Sequence, residues 1–254
     1  MHSRRLIGYW LGRRPYQPVH ALMQELFEAR KLGHVGDVVL LLEHEAVITL
    51  GRVAKSENIL VPRELLAQQG VGLVETGRGG DVTLHGPGQL VGYPIVNLAP
   101  DRQDVRKYVE SLTKVMARLV APHGLSTGSL TGKVGTWVDE ANPRNWPGEQ
   151  NARSPVKIGA IGVRISRWIT QHGFALNLTT DLDLFQLIVP CGIRGFGVSS
   201  LQRLTDVRLE TKDAAHTALI EMGELWGAEV DEMVDAEALD LPRVLELARD
   251  GPRP

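Results

Sequence analysis

Apolar positions first recur at helical spacing at Leu22, Leu26 and Ala29, which predicts a helix over 19–32 that Gly33 can end. The pattern then breaks into short apolar runs. Residues 37–42 read as a buried strand and 46–50 as a second, closing at Gly51. A helix starts at Pro62 and stops at Gly70, followed by a short strand over 71–75 and a longer one over 90–98. The clearest helix covers 104–120, where Val105, Tyr108, Leu112, Val115, Met116 and Leu119 make one apolar stripe. Residues 133–139 read as a strand. Residues 157–168 and 174–178 read as paired strands joined through Gly173. One helical turn is expected over 183–187, then helices over 211–225 and 236–248, the last fraying at Pro252.

Strands and helices are interleaved without a regular βαβ alternation, and no internal repeat is visible. That predicts an α+β fold with mixed sheets flanked by helices. No stretch makes a good linker, so one domain is expected over 1–254. Residues 142–155, rich in Asn, Pro, Gly and charge, read as a surface loop.

Composition narrows the picture. With 254 residues, 43% of them hydrophobic and 23% charged, the chain can bury a core without metals or disulfides. A formal net charge of -2 gives no reason to expect nucleic acid or an anionic membrane as partner. No run approaches the ~20 apolar residues of a membrane span. The basic start, Met1 to Arg5, lacks a small-residue cleavage pattern after it, so a cytoplasmic location is expected.

The single cysteine, Cys191, can form neither an internal disulfide nor a cysteine-based metal site. A lone cysteine is often a small core hydrophobe. Here Pro190 removes a backbone donor and Gly192 permits unusual angles, so a sharp turn that presents the thiol is expected. A free thiol titrates near ~8.5, so a useful nucleophile needs a cation or base beside it. By residue type the base is His85 or His172, each next to glycine. His20, His34, His123 and His216 fall on helices or helix ends and read as solvated; His44 has no evident partner. Lys157 is the other candidate, opening the apolar run Lys157-Ile158-Gly159-Ala160-Ile161-Gly162. It serves equally as a strand-edge lysine that blunts pairing, or as a desolvated base or thiolate-stabilising cation.

The segment Gly77 to Gln89 is the densest signal. Gly79 and Gly80 allow close backbone approach to a ligand, Arg78 can clamp an anion or brace the loop, and Thr83 and His85 alternate onto one face. A plain hairpin turn is the alternative. Gly128 to Val134 looks like a phosphate loop, but three residues separate its glycines instead of four, and Val134 stands where Ser or Thr would bind magnesium. Arg164 and Arg167 with Trp168 read as a solvated strand face or a docking surface for an acidic protein.

Arg78-Gly79-Gly80-Asp81-Val82-Thr83-Leu84-His85-Gly86-Pro87-Gly88-Gln89 closely resembles the signature of lipoyl(octanoyl) transferases. Lys157 to Ile165, His172 to Asn177 and Pro190 to Ile193 resemble three more blocks of that family, in the right order. The resemblance spans roughly 37–201. The helical part over about 211–250 matches weakly. It implies a fold like the catalytic domain of biotin and lipoate protein ligases. It implies transfer of an octanoyl or lipoyl group from acyl carrier protein to a lysine of apo lipoyl domains of 2-oxoacid dehydrogenase complexes, or of glycine-cleavage H protein. It implies Cys191 as the acyl-thioester, Lys157 as its proton-transfer partner, and a monomer needing no metal, nucleotide or other cofactor. It makes Arg78, Gly79, Gly80, Asp81, Val82, Thr83, Leu84, His85, Ala160, Ile161, Gly162, Gly173, Phe174 and Ala175 the substrate-lining residues. Leu84 stands where the family usually has an aromatic residue, which predicts an altered acyl pocket. The 142–155 loop is longer than usual. Two rival readings are an ATP-dependent lipoate ligase and a non-catalytic lipoyl-domain-binding protein with Cys191 buried.

Overall fold

The computed structural model describes residues 4–193 and 195–251. Residues Met1 to Ser3 of the basic start and the fray expected at Pro252 lie outside them. Strand β1 (Arg4–Arg14) and helix α1 (Tyr16–Lys31) come first, followed by β2 (Asp37–His44), β3 (Val47–Leu50), α2 (Arg63–Gln68), β4 (Gly72–Glu75), β5 (Val82–His85) and β6 (Gln89–Ile95). Next are α3 (Val105–Val120), β7 (Gly128–Leu130), β8 (Lys133–Asp139), β9 (Pro155–Ser166), β10 (Ile169–Asn177) and β11 (Gly197–Val198). The last are α4 (Leu201–Thr205), α5 (Thr211–Trp226), β12 (Ala228–Val230), β13 (Val234–Asp235) and α6 (Leu241–Asp250).

A ten-stranded mixed sheet runs β12-β1-β2-β6-β10-β9-β8-β7, with β11 beside β9 and β13 beside β1. Strand β2 sits inside it, and all eight of its residues are buried. Its alternation splits two cores. Val39 and Leu41 face the layer that holds Tyr108, Leu112 and Met116 of α3 and Leu219 of α5. Val38, Leu40 and Leu42 face the layer that holds Leu22, Met23 and Leu26 of α1 and Val244 of α6. A three-stranded sheet, β4-β3-β5, packs with Leu66, Leu187 and Ile188 into a third, smaller core.

The stripe of α3 forms as its spacing predicts, with the Asp104 carboxylate accepting the Lys107 N–H as the cap. Val105 departs from it and is exposed at 47%, because it lies in the first turn beyond the packed layer. Truncating Leu112, wholly buried in this layer, to Ala should cost roughly 2–5 kcal/mol.

Three expectations need correction. The β9–β10 hairpin turns at Arg167 and Trp168, both left-handed at φ 50° and 65°, as a tight two-residue turn requires. Gly173 instead lies inside β10, where a Cβ would come 2.0 Å from the Gly92 carbonyl oxygen. The final helix begins at Leu241 rather than 236. Residues before it are held by β13 pairing with β1 and by the Ala236 N–H to Trp10 O, and Asp240 supplies the cap. Strand β1 itself was not among the expected elements.

The 142–155 loop folds back on the β7–β8 hairpin. The Trp146 ring covers Gly128, and the Glu149 carboxylate accepts from both the N–H and the hydroxyl of Thr131, at 2.9 and 2.7 Å. Those hydrogen bonds hold the Glu149 carboxyl below the usual carboxylate range.

Candidate active site

Where β5 and its preceding loop approach β9 and β10, a cleft of about 230 Å³ opens. Cys191 stands at its side on a 3-10 turn, Pro190–Gly192, with φ 55° and ψ 17°. Holding a non-glycine residue there costs about 1–2 kcal/mol. Gly192, at φ 65°, continues the left-handed turn and passes so close to Asp81 that a Cβ would meet its Oδ2 at 2.4 Å. The turn inferred from Pro190 and Gly192 is therefore present, and it leaves Cys191 partly exposed.

Lys157 is 6% exposed, on β9. Two neighbours place it. Strand β8 runs antiparallel with Trp137 opposite Lys157, and β11 runs parallel with Val198 opposite it. The Ser199 N–H bonds to the Lys157 carbonyl, so the segment that follows the cysteine turn is tied to this one residue. Lys157 Nζ donates to the Val134 carbonyl at 3.0 Å and lies 3.5 Å from Cys191 Sγ. A thiol and an amine at that distance can exchange a proton directly.

Arg78 is buried and braces the glycine-rich loop. Its guanidinium donates to Thr49 Oγ1, Thr49 O, Gly79 O and Asp81 O. Burial pulls its pKa below the arginine norm, and the negative charge available at Cys191 is the largest opposing influence. Asp81 accepts from the Lys55 and Val82 N–H groups and from Asn58 Nδ2, which fixes the loop against the Gly192 turn. The Gly79 N–H is bonded to Val163 O. Among the described residues the N–H groups of Gly80 and Asp81 have no such partner, and both residues line the cleft.

Of the residues expected to line substrate, Arg78, Gly80, Asp81, Thr83, His85, Ala160, Ile161, Gly162, Gly173, Phe174 and Ala175 border the cleft together with Cys191 and Lys157. Gly79, Val82 and Leu84 do not. The alternation that turns Thr83 and His85 inward turns Val82 and Leu84 into the third core, both wholly buried. Leu84 therefore packs in the third core and is not part of the cleft lining, so its difference from the family pattern falls behind the cleft wall. Tyr16, Tyr93, Gly132, Lys133, Val134 and Ile193 also line the cleft and were not anticipated. For Gly132 to Val134 the available signal was the glycine-bounded hairpin dismissed as a phosphate loop.

At the inner end of the cleft His85, His172, Tyr16 and Tyr93 form its wall, and His44 packs behind them against His85 and Tyr93. His44 Nδ1–H donates to Arg14 O, so its Nε2 accepts from the Tyr93 hydroxyl at 2.9 Å. Gln89 Nε2 donates to Leu84 O and Asn177 Oδ1, which leaves Gln89 Oε1 to accept from His85 Nδ1–H at 2.8 Å. Burial, above all, lowers His85 and His172 to about 3 and His44 to about 4, so all three are neutral near pH 7. His20, expected to be solvated, is half-buried and stacks on Tyr16 and His172 at 5.6 and 5.7 Å. Among the described residues neither ring nitrogen of His172 has a partner.

The family model described as the lipoyl protein ligase A/B catalytic domain matches residues 15–222. An octanoyltransferase from Acidobacterium capsulatum is 42% identical over 229 residues, covering 87% of this chain and 89% of that protein. One from Caldicellulosiruptor bescii is 37% identical, covering 92% and 97%. One from Myxococcus xanthus is 51% identical over 195 residues, 77% of this chain but only about half, 52%, of that longer protein. Among solved structures, a lipoate-protein ligase A bound with ATP superposes with a TM-score of 0.63 at 14% identity, covering 99% of this chain and 97% of that one. A lipoate protein ligase of T. acidophilum with bound lipoic acid gives 0.62 at 14% identity, covering 96% and 95%. These likenesses establish the fold, an α+β architecture shared with lipoate ligases. Among the described residues no helix is long and apolar enough to cross a membrane.

Proposed function

The chain belongs to the octanoyltransferase family, and from that premise we propose that it moves the octanoyl group in two steps through Cys191, with Lys157 carrying the proton. The observation that carries this reading is the 3.5 Å approach of Lys157 Nζ to Cys191 Sγ beside the cleft. The Cys191 thiol gives its proton to Lys157, and the thiolate attacks the carbonyl of an octanoyl thioester on acyl carrier protein. As the tetrahedral intermediate collapses, the carrier's phosphopantetheine sulfur leaves and takes the proton back from Lys157. A lysine of an apo lipoyl domain, or of glycine-cleavage H protein, then attacks the Cys191 thioester. It gives up a proton through Lys157 as the sulfur departs, and an amide forms. An amide is more stable than a thioester, so the second step runs downhill.

The N–H groups of Gly80, Asp81 and Cys191, all on the cleft and without a backbone partner among the described residues, are the donors available to hold the oxyanion. Losing one such donor would raise the barrier by roughly 3–4 kcal/mol. Gly79 is excluded from that role by its bond to Val163 O. The acyl chain lies along Ala160, Ile161, Gly162 and Ala175, where Ala160, Gly162 and Ala175 leave room for it and Ile161 offers an apolar contact. The thioester arrives activated, so the chemistry calls for no nucleotide. A nucleophilic thiol must stay reduced, which fits a cytoplasmic setting.

The test is a single-turnover measurement of thiol release. On mixing with octanoyl-carrier protein alone, the enzyme should release one equivalent of carrier thiol before any acceptor is added, and Cys191→Ala should release none. Transfer from free octanoic acid and ATP without carrier protein would instead make it a ligase.

A further inference from the structure

We propose that Trp137 is a positioning residue for Lys157, holding its ammonium beside Cys191 on the face of the indole ring. The inference rests on the Cys191–Lys157 assignment above. The register of β8 on β9 sets Trp137 directly opposite Lys157, and directly opposed residues place their side chains on the same face of a sheet. Lys157 Nζ lies 4.9 Å from the ring centroid, within cation–π range. The ring is held in turn. Its Nε1–H donates to Lys133 O at 3.0 Å, and Phe196 packs edge-on at 5.4 Å. Trp137 is 1% exposed, so the ammonium it faces is shielded from water on that side.

Three groups thus surround one Nζ: the Val134 carbonyl, the Trp137 ring and the Cys191 sulfur. Among the described residues no carboxylate pairs with Lys157. The difference matters chemically. A carboxylate would neutralise the ammonium and leave the thiolate without its cation. An aliphatic side chain would leave the ammonium desolvated and favour the neutral amine. An aromatic face stabilises the cation through its quadrupole while leaving it free to pair with sulfur. Trp137 therefore favours the ammonium–thiolate arrangement over the amine–thiol one. The other titratable or charged groups on this cleft are Lys133 on β8, Arg78 and Asp81 on the loop before β5, His85 on β5, His172 on β10, and Tyr16 and Tyr93 on α1 and β6.

The experiment measures the rate of alkylation by iodoacetamide against pH in the full chain, where the single cysteine makes the signal specific. In Trp137→Leu the midpoint should move up by about one pH unit, with Trp137→Phe between it and the parent. A folded Trp137→Leu protein with the parental midpoint overturns the proposal, because a change in packing or access alone scales the rate by the same factor at every pH. Where Trp137→Leu fails to fold, fluorinated tryptophans placed at position 137 keep the shape and the N–H while draining the ring face. A midpoint that climbs with fluorine number supports the proposal, and a flat series overturns it. Lys157→Met separates the two levels. If its midpoint matches the parent, the Cys191–Lys157 pairing itself fails, and the role of the ring with it.

Discussion

The two ends of the cleft hold the two kinds of base that the sequence offered, and they are built in opposite ways. At the outer end, Lys157 meets Cys191 at 3.5 Å, and its other contacts are a carbonyl and an aromatic face. At the inner end, His85 is fixed in one tautomer by Gln89, and His44, packed behind it, is fixed by Arg14 O and the Tyr93 hydroxyl. Burial keeps these imidazoles neutral, and their protons are engaged with neighbours rather than with sulfur. Residue type favoured histidine as the base; position favours lysine. The histidine end is better read as a rigid polar floor, and the lysine end as the place where a proton moves.

Cys191→Ala breaks the comparison most severely. Octanoyl transfer should fall by roughly 10⁴-fold or more, the size expected when a covalent nucleophile is lost. Lys157→Ala should follow at roughly 10²–10⁴-fold, the usual worth of a placed proton carrier. Both are read as the rate of lipoyl-domain octanoylation. If Lys157→Ala retains parental activity, the lysine end has no special status.

Acid should separate the two ends through stability. In the folded protein His44, His85 and His172 protonate only near 4, 3 and 3, whereas in the unfolded chain histidines protonate near ~6.5. Between those values the unfolded state binds more protons. The contribution of the floor is therefore intact above about pH 6.5 and is lost as pH falls, by about 1.4 kcal/mol per pH unit for each histidine. Urea unfolding at pH 7 and pH 5.5 measures it. His85→Gln should flatten the dependence by one histidine's share, and an unchanged slope would mean that His85 is not held neutral.

The smallest effect is expected for His85→Ala on chemistry. Transfer should slow about tenfold, the worth of one well-placed hydrogen bond, while the acyl-enzyme still accumulates. Loss of that intermediate in His85→Ala, read by quenched-flow with octanoyl-carrier protein, would move the base to the histidine end.

Much of this was legible in the chain and some was not, for physical reasons. The stripe of α3 and the apolar run of β2 are local patterns that tertiary packing reinforces, so both were readable. The turn at Cys191 was readable because Pro190 and Gly192 restrict the backbone there. The alternation of Thr83 and His85 was readable too, and taken one step further it would have sent Val82 and Leu84 to the core. The β9–β10 turn was misplaced because Gly173 looks like a turn residue. It is glycine only because the Gly92 carbonyl passes over it, which depends on a strand from elsewhere in the chain. The partner of Cys191 was hardest to see. Lys157 reaches it through the registers of β8, β9 and β11, and no local pattern encodes a contact across 34 residues. The family resemblance, not spacing, singled out the lysine.

Intact-mass spectrometry after mixing the enzyme with octanoyl-acyl carrier protein, in the absence of acceptor, tests the central claim most directly. The expected result is one octanoyl adduct that hydroxylamine removes, that is absent in Cys191→Ala, and that disappears when an apo lipoyl domain is added. Full octanoylation of the lipoyl domain by Cys191→Ala, or an adduct that survives on another residue, would contradict it.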